Sequence, residues 1–420
     1  MRMRRVYRRG GEGMEEDLPR VELRGFSVGD VKVEVFREMS DLTPARYVDF
    51  LAFGEDMVES RYFYNVIARA GRVLGVKSGG GVVGVMQFLY PVEPQDGLFV
   101  KRLGILEEFR NMGLSQKFWK ALEGESREHG YESLWATVNP WNGSIINSIV
   151  NKGGYAGVEV HRDLFGVGEH RFVVERRLGA SLHGLDEEDV GRQIRGGVVK
   201  VVGREEILKS DMVAVEPHDI DSIERVMDQG YKLRLIVRPK YSGREGNQNL
   251  LVFVKGRERR EPIGAAKVLL PKTVGGHAVS LLSGTEECME AAVLGVQNSQ
   301  TEPTIFSMKM FAKAGALLGV RNGGRIVGAE GLLFNPAGGA FVYGPVLDES
   351  HRDAKLALEL VKIAEGIAAK RGSASVNSIV SVKDARLIEA YKSAGFLAAE
   401  TIKAGMDDGS DAVVVSKRLK

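Results

Sequence analysis

The residues best able to do chemistry lie in the run Arg110-Asn111-Met112-Gly113-Leu114-Ser115, which joins an apolar segment to an amphipathic one. A glycine at a strand-to-helix junction lets the backbone approach a phosphate. The free N–H groups and the positive end of the following helix stabilise the negative charge. Arg110 adds a cation at that position. The run therefore predicts a phosphate-binding loop.

Hydrophobic patterning indicates the elements that position this loop. A predicted strand, Leu98 to Leu106, precedes it, and a helix with apolar residues at helical spacing follows from about Gly113 to Gly130. A second strand, Tyr131 to Val138, and a second helix, Ser144 to Lys152, come next. We therefore expect the loop at the junction of a sheet and an amphipathic helix.

The chain contains an internal repeat, because A-R-A-G-R-V-L-G-V-K-S-G-G-G-V-V-G (68–84) recurs as A-K-A-G-A-L-L-G-V-R-N-G-G-R-I-V-G (312–328). Each occurrence predicts an antiparallel hairpin, since apolar β-formers flank a glycine-rich turn. The following elements also repeat in order: a strand, a helix, a strand, and a helix that ends in Gly-aromatic. We call residues 29–178 the first copy and residues 211–420 the second copy.

The repeat predicts an α+β fold of the α/β three-layer type with two tandem domains. Each domain is expected to be a twisted mixed, mainly antiparallel sheet flanked by helices. The predicted segments are a flexible basic leader at 1–28, a first domain at 29–178, a linker at 179–210 and a second domain at 211–420. The second domain is longer because of an insertion at about 231–290, in which Leu250 to Val254, Ile263 to Leu270 and His277 to Leu282 are predicted strands.

Composition excludes several functional classes. The 58 Lys and Arg against 56 Asp and Glu give a net charge of +2, which provides no field for nucleic acid or an anionic membrane. Cys288 is the only cysteine, so neither a disulfide framework nor a thiolate metal cluster can form, and we expect it in the core. No apolar stretch approaches the roughly 18–20 residues of a membrane span. We expect a cytoplasmic protein with no metal, no membrane segment and no nucleic-acid partner.

In this context of hairpin, strand, amphipathic helix, strand and Asn-bearing helix, the loop resembles the signature R/Q-x-x-G-x-G/A of the GNAT acyltransferase superfamily. Arg110, Gly113 and Ser115 match, with Ser in the place of a small final residue. The resemblance covers residues 31–177 and, more loosely, 211–420. It implies tandem GNAT-like domains with acetyl-CoA, or another acyl-CoA, as co-substrate and its pyrophosphate at the loop. The cofactor-binding residues that it implies are Leu103, Gly104, Ile105, Arg110, Asn111, Met112, Gly113, Leu114 and Ser115.

The second copy departs from this signature. It has Lys355 at the position of the loop glycine, so a side chain occupies the path of a phosphate. Asp353 is a predicted N-cap whose carboxylate satisfies helix N–H groups and opposes an anion. Arg352 and Lys355 could still hold a phosphate through their side chains. We expect loss of coenzyme binding in this copy.

The resemblance also implies direct attack of an amine on the thioester, in which the protein mainly positions the reactants and polarises the carbonyl. Asn142 and Asn147 are the candidates for contact with the thiol and pantetheine, or they cap and satisfy their helix. Tyr391 lies in a Tyr-x-x-x-Gly-Phe run whose phenol protonates the leaving thiolate in the superfamily, or it is a buried helix aromatic. The first copy has Val150 to Tyr155 in that place and lacks this acid.

These features predict an acyl-CoA-dependent N-acetyltransferase that acts on a small-molecule or peptide amine and binds the coenzyme mainly in the first copy. The second copy is expected to support structure or acceptor binding. Two rivals stay open: a non-catalytic acyl-CoA sensor or scaffold, and a Fem-like transferase that uses aminoacyl-tRNA, against which the loop argues. A homodimer also stays open, since edge strands can pair between chains.

Overall fold

The computed structural model describes residues 31–53, 60–90, 97–139, 142–161, 170–178, 185–203, 210–243, 249–255, 270, 273–298, 305–335 and 339–419. The predicted leader and the predicted strand over 263–269 lie outside these residues. Contacts divide the chain into two compact units. Unit 1 comprises the described parts of Met1–Glu93, Phe99–Glu125 and Ala265–Lys420, and unit 2 comprises those of Pro94–Leu98 and Ser126–Gly264.

Short polar side chains cap several of the helices. Asp353 and Asp384 both accept hydrogen bonds from backbone N–H groups of the helices that they precede, and Ser60 does the same for a helix at residue 61. The described helices are α1 (Met39–Phe53), α2 (Arg61–Ala70), α3 (Leu114–Glu128), α4 (Gly143–Asn147, continued by a π-helical turn, Ser148–Lys152), α5 (Glu187–Arg195), α6 (Ile220–Asp228), α7 (Pro239–Ser242), α8 (Thr285–Asn298), α9 (Ile305–Ala314), α10 (Ala354–Lys370) and α11 (Ala385–Ser393).

The strands are rich in Val, Ile, Leu and Phe, as expected for segments buried in sheets. The described strands are β1 (Val33–Phe36), β2 (Arg72–Ser78), β3 (Gly81–Leu89), β4 (Gly97–Ile105), β5 (Ser133–Val138), β6 (Ala156–His161), β7 (Arg171–Arg177), β8 (Lys200–Val201), β9 (Met212–Val215), β10 (Tyr231–Val237), β11 (Leu250–Lys255), β12 (Thr273–Val274), β13 (His277–Leu281), β14 (Ala316–Asn322), β15 (Arg325–Asn335), β16 (Gly339–Leu347), β17 (Ser375–Ser381), β18 (Leu397–Ile402) and β19 (Ala412–Arg418).

The fold is α+β, with mainly antiparallel sheets flanked by helices, as predicted. In unit 1 one run of strands has the order β1-β2-β3-β4, and a further sheet has the order β12-β13-β14-β15-β16-β17-β19-β18, in which β16 and β17 are parallel. In unit 2 the order is β5-β7-β6-β10-β11-β9-β8, in which β8 and β9 are parallel.

The sequence repeat corresponds to a repeated order of elements in unit 1. The order β1-α1-α2-β2-β3-β4-α3 is matched by β13-α8-α9-β14-β15-β16-α10. The two predicted hairpins are confirmed, and their turns share one backbone conformation. Gly79 and Gly80 have φ of 56° and 84°, and Gly323 and Gly324 have φ of 56° and 90°. These left-handed positions explain why glycine occurs at both turns.

The predicted strand over Leu250 to Val254 is confirmed as β11, and it belongs to unit 2 with the other described elements of residues 210–255. Strand β9 pairs with β11, and β10 pairs with both β11 and β6. The segment predicted as a linker contains α5, and its Val190 and Val199 pack in a core with Leu235 and Val252. The hydrophobic pattern of a strand or helix does not specify which sheet the element joins. The predicted domain bounds, 29–178 and 211–420, therefore stay a prediction.

Helix α2 is buried on nearly all sides because it packs on the sheet of the second copy as well as beside its own strands. The Tyr62 ring lies 5.7 Å from the Tyr343 ring, and the Phe63 ring lies 6.0 Å from the Phe311 ring. Asn65 Nδ2 also donates to the Gly405 carbonyl at 3.3 Å. Residues 61–70 are thus a shared part of the core of unit 1.

Candidate active site

The predicted phosphate loop leaves β4 at Ile105 and enters α3 at Leu114. The Leu106 N–H donates to the Val83 carbonyl at 3.0 Å, and the Phe109 N–H donates to the Leu106 carbonyl at 3.0 Å. The Phe109 side chain is 2% exposed and anchors this turn in the core. The first half of the loop is therefore tied to the sheet.

The second half of the loop turns through left-handed backbone. Asn111 has φ of 64° and Gly113 has φ of 81°, a region that Gly and Asn adopt most readily. A β-carbon built on Gly113 meets no atom within 4 Å. The glycine thus serves the backbone conformation and leaves open space in front of the loop.

The chemistry of this open face suits an anion. Arg110 is exposed, and its Nε donates to the Ile105 carbonyl at 3.2 Å. Helix α3 has no acidic residue in its first turn. Among the residues that the structure describes, the N–H groups of Leu114 and Ser115 meet no acceptor, as is usual for the first turn of an uncapped helix. These groups can therefore bind a phosphate.

The corresponding loop of the second copy follows β16 and enters α10 at Ala354. The Asp353 carboxylate accepts a hydrogen bond from the Lys355 N–H at 2.9 Å, so the predicted N-cap is confirmed. The Asp348 carboxylate accepts one from the Ser350 N–H at 3.0 Å. In this loop, carboxylates of the protein therefore accept the hydrogen bonds of backbone N–H groups. The loss of coenzyme binding here stays a prediction.

Strand β4 approaches helix α1 closely at Gly104. A β-carbon on Gly104 would lie 3.0 Å from Asp49 Oδ1 and 3.3 Å from the Phe53 ring, so a larger residue would require these side chains to shift. Leu103 and Ile105 on either side are half-buried. These three predicted cofactor residues form one short stretch of strand before the loop, and their role in binding stays a prediction.

A buried polar network, which none of the sequence motifs predicts, lies beside this strand. The Asp49 Oδ2 atom accepts hydrogen bonds from Gln87 Nε2 at 2.9 Å and from Arg102 Nη1 at 3.4 Å. It also accepts one from the Tyr64 hydroxyl. Lys101 Nζ donates to Gln87 Oε1 at 3.1 Å. The network therefore joins α1, α2, β3 and β4, and it holds the strand that leads into the loop.

The electrostatics of this network follow from its burial. Burial raises the pKa of the Asp49 carboxyl, and the Arg102 charge and the Tyr64 hydrogen bond oppose part of that rise. Its other oxygen, Oδ1, has no hydrogen-bond partner among the described residues. The signal in the sequence was the pair Lys101-Arg102 inside the apolar run G-L-F-V-K-R-L-G-I. Buried charges need partners, so such a pair predicts a buried acid nearby.

The two predicted asparagines have partners within the protein. Asn142 is exposed, and its Oδ1 accepts a hydrogen bond from the Ile145 N–H at 3.2 Å. Asn147 Oδ1 accepts one from Asn151 Nδ2 at 2.8 Å. Asn151 Nδ2 also donates to the Ile236 carbonyl at 2.8 Å, and Asn151 Oδ1 accepts from the Ile236 N–H at 2.8 Å. These contacts fit the capping alternative, and contact with a thiol or pantetheine stays a prediction.

Tyr391 lies in the core of the second copy. It is 0% exposed, and its hydroxyl donates to the Gly344 carbonyl at 2.6 Å. Its ring meets the Phe396 ring edge-on at 4.9 Å. These contacts fit the interpretation as a buried helix aromatic, and its role as an acid stays a prediction.

Glu330 is a further buried group that none of the sequence motifs predicts. It is 0% exposed, and in the described part of the chain neither carboxylate oxygen has a hydrogen-bond partner. Burial raises the pKa of the Glu330 carboxyl well above its usual value of 4.5. The signal was a single acid in the apolar run I-V-G-A-E-G-L-L-F.

Cys288 is buried in the core, as predicted, and burial raises the pKa of its thiol to about 11. Among the described residues, no group of three or more His, Cys, Asp or Glu side chains could hold a metal ion. The described helices include none that is both long and apolar enough to cross a membrane.

Residues 37–147 match the family model of the acetyltransferase (GNAT) family. The matched segment contains β4, the loop and α3, so it includes every residue of the predicted phosphate loop. The resemblance predicted from the loop is therefore confirmed for this segment. No curated protein matches the chain.

Several solved structures resemble about a third of the chain. The ribosomal-protein-S18-alanine N-acetyltransferase from Escherichia coli is 15% identical with a TM-score of 0.30, over 37% of this chain and 99% of that chain. A GNAT family acetyltransferase from Elizabethkingia anophelis with acetyl-CoA bound is 14% identical with a TM-score of 0.30, over 35% and 98%. An N-acetyltransferase from Staphylococcus aureus is 14% identical with a TM-score of 0.31, over 34% and 99%.

Proposed function

Because residues 37–147 of this chain form a domain of the acetyltransferase (GNAT) family, we propose that the protein transfers an acetyl group from acetyl-CoA to an amine. The observation that carries this proposal is the loop at the start of α3. There Gly113 has φ of 81°, and no atom lies within 4 Å of the position of its missing β-carbon. Acetyl-CoA, or another acyl-CoA, is the co-substrate, and the reaction needs no metal.

In this proposal the coenzyme pyrophosphate lies against the N–H groups of Gly113, Leu114 and Ser115, with Arg110 as a cation beside it. Asn111 and Met112 form the exposed turn in front of the helix. The positive end of α3 and the absence of an acid in its first turn favour the anion. The pantetheine arm then passes Leu103, Gly104 and Ile105 of β4.

The amine nitrogen attacks the thioester carbonyl carbon, the C–S bond breaks, and the proton lost by the nitrogen ends on the sulfur of coenzyme A. The protein mainly holds the two reactants in line. Asn142 and Asn147 are the proposed contacts to the thiol and pantetheine. Tyr391 is the proposed proton donor only for a coenzyme bound in the second copy, where its hydroxyl meets Gly344.

We assign coenzyme binding mainly to the first copy, since Asp353 and Lys355 oppose a phosphate in the second. In this arrangement of tandem domains the second copy supports structure or acceptor binding. The acceptor is a small-molecule or peptide amine, and the net charge of +2 gives no support for a nucleic acid. A cytoplasmic location belongs to the same proposal.

Calorimetric titration of the full chain with acetyl-CoA tests this proposal. We expect one site per chain, and a loss of affinity of roughly 100-fold in Gly113→Arg, which corresponds to about 3 kcal/mol. The matched control is Gly80→Arg, because Gly80 has φ of 84° and no atom within 4 Å of its β-carbon position, but lies in the β2–β3 turn. Equal affinities of the two variants would contradict the assignment of the loop.

A second candidate is acyl-CoA binding without catalysis. One observation favours it: the first copy has Val150, 1% exposed, in the place that Tyr391 takes in the second. An assay of thiol release with a panel of small amines and peptides separates the two candidates. Binding without release on any amine would favour a sensor, and release that Gly113→Arg abolishes would favour the transferase.

A further inference from the structure

A cavity of about 510 Å³ lies in the second copy, where β16 and β17 separate. The two strands pair only at Gly339–Val342 with Ser375–Ser378, whereas β16 continues to Leu347 and β17 to Ser381. The parts of β16 and β17 that do not pair with each other line the cavity, together with the first residues of α10 and α11. Small-molecule sites span about 300–1,000 Å³, so the cavity is large enough for a ligand.

One wall of the cavity is aromatic and fixed. Tyr62 of α2 lines the cavity, is 2% exposed, and packs edge-on against Tyr343. Its backbone N–H donates to Asp407 Oδ1 at 3.2 Å, which holds the helix in place. In the part of the chain that the structure describes, the Tyr62 hydroxyl has no hydrogen-bond partner. A hydroxyl without a partner on the wall of a cavity can bond a polar atom of an occupant.

The charged groups around the cavity favour an anion. Arg352, Lys383 and Arg386 line it, and so do Asp353 and Asp384. The two carboxylates are engaged as helix caps, since Asp353 accepts from a backbone N–H at 2.9 Å and Asp384 from another at 3.0 Å. Arg386 is exposed and has no ion pair with a described residue. Lys383 pairs with Asp408 at 2.7 Å, so Arg386 is the lining cation that is available to a ligand.

We propose that this cavity binds a small organic anion, in which an apolar or aromatic body lies against Tyr62 and Tyr343 and a carboxylate or phosphate meets Arg386. The Tyr62 hydroxyl then bonds a polar atom at the opposite end of the ligand. Pro345 and Met406 complete the apolar lining. The site is separate from the coenzyme loop of the first copy, so it does not depend on the proposed function.

Two other ligand classes fit this cavity less well. An amine would meet the charge of Arg386, while Asp353 and Asp384 are engaged as helix caps, which is electrostatically unfavourable. The pyrophosphate of coenzyme A would meet the Lys355 side chain where the first copy has a glycine, and the Asp353 carboxylate already occupies an N–H group of α10. A compact anion needs only Arg386 at the rim, so it avoids both obstacles.

Titration calorimetry of the full chain with aryl probes tests this inference. The anionic probes are benzoate, 4-hydroxybenzoate and phenyl phosphate, and benzylamine is the cationic comparison. We expect one anion per chain, tighter binding of 4-hydroxybenzoate than of benzoate, and no binding of benzylamine. Comparing benzoate with phenyl phosphate distinguishes a carboxylate site from a phosphate site.

Two variants identify the residues that bind the probe. Arg386→Ala should weaken binding of the anionic probes by about tenfold, because it removes a charge-assisted contact. Lys392→Ala is the matched control, since Lys392 is an exposed cation in the last turn of the same helix. Tyr62→Phe keeps the ring and should remove an advantage of about fivefold that 4-hydroxybenzoate has over benzoate.

Several results would overturn the inference. Benzylamine binding as tightly as benzoate would remove the preference for anions, and equal affinities in Arg386→Ala and Lys392→Ala would place the anion elsewhere. The absence of binding of every anionic probe at millimolar concentration would also reject the site. Displacement of the probe by acetyl-CoA in the Gly113→Arg background would assign the cavity to the coenzyme instead.

Discussion

In the first copy the loop after β4 reaches its helix through Asn111 at φ 64° and Gly113 at φ 81°, and no acid stands in the first turn of α3. In the second copy the loop after β16 reaches α10 through Asp353, whose carboxylate accepts a backbone N–H at 2.9 Å. Both loops follow a strand of the same place in the repeated order. In the second copy the Asp353 carboxylate is the acceptor for a helix N–H group. In the first copy the N–H groups of Leu114 and Ser115 have no acceptor among the described residues.

This difference shows how a duplicated loop can lose one ligand without losing its fold. The N–H groups at a helix start need acceptors, and either a bound anion or a side chain of the protein can supply them. Asp353 supplies an acceptor in every molecule, so the second loop is stable without a ligand. The first loop keeps its N–H groups for a ligand, and its backbone depends on a glycine instead.

The largest expected effect concerns Glu330, which the repeat aligns with Met86 of the first copy. The Glu330 carboxyl is buried without a hydrogen-bond partner among the described residues. We expect Glu330→Met to raise the free energy of unfolding at neutral pH by about 2–3 kcal/mol, since it removes an uncompensated buried acid. Urea denaturation measures this change. Met86→Glu is the reverse variant and should destabilise the protein.

The pH dependence of that effect follows from the direction of the pKa shift. Burial raises the pKa of Glu330 above its unfolded value of 4.5. Below that unfolded value the carboxyl is protonated in both states, so the protein keeps its full stability. As the pH rises towards the folded pKa, the unfolded state ionises and the folded state does not, so stability is lost. The gap between Glu330→Met and the unaltered protein should therefore grow by about 1.4 kcal/mol per pH unit between that value and the folded pKa. A gap that stays constant with pH would mean that Glu330 keeps its charge.

The next largest effect compares the arginines of the two loops. Arg110→Ala should weaken acetyl-CoA binding by about tenfold, because a charge-assisted contact to a phosphate is lost from an exposed site. Arg352→Ala, at the same place in the second loop, should leave the affinity unchanged. Calorimetry on both variants measures the difference. Equal losses would show that both copies bind the coenzyme.

A smaller effect concerns the cap itself. Asp353→Ala should lower the free energy of unfolding by about 1 kcal/mol, the usual cost of losing an N-cap side chain. Lys355→Ala is the matched control, because Lys355 is exposed and its side chain takes no part in the cap bond. Thermal unfolding of the two variants measures the contrast. If Asp353→Ala is as stable as Lys355→Ala, the cap does not explain the second loop.

The local features of the molecule could be predicted from the sequence. The hairpin turns at Gly80 and Gly324, and the cap at Asp353, depend on residues close together in the chain, so short patterns specify them. The phosphate loop was predicted for the same reason, because Arg110 and Gly113 are only three positions apart. Features of this kind need no knowledge of the tertiary fold.

The features that the sequence did not predict depend on distant residues. The hydrogen bond from Gln87 to Asp49 spans 38 positions, and Tyr62 lines a cavity whose other residues lie beyond position 342. Lys101 shows that a charge in an apolar strand has a buried partner but does not show which residue it is. The sheet that β9 joins is likewise decided by packing, which hydrophobic pattern alone does not specify.

The smallest expected effect concerns Asn111, whose φ of 64° is left-handed. Asn111→Gly should raise the free energy of unfolding by a few tenths of a kcal/mol or leave it unchanged, whereas Asn111→Ala should lower it by about 1 kcal/mol, since Gly adopts this conformation freely and Ala does not. Acetyl-CoA affinity separates conformation from contact. If only conformation matters, Asn111→Gly keeps the affinity, because the loop keeps its shape. Equal losses of affinity in both variants would instead show that the Asn111 side chain contacts the coenzyme.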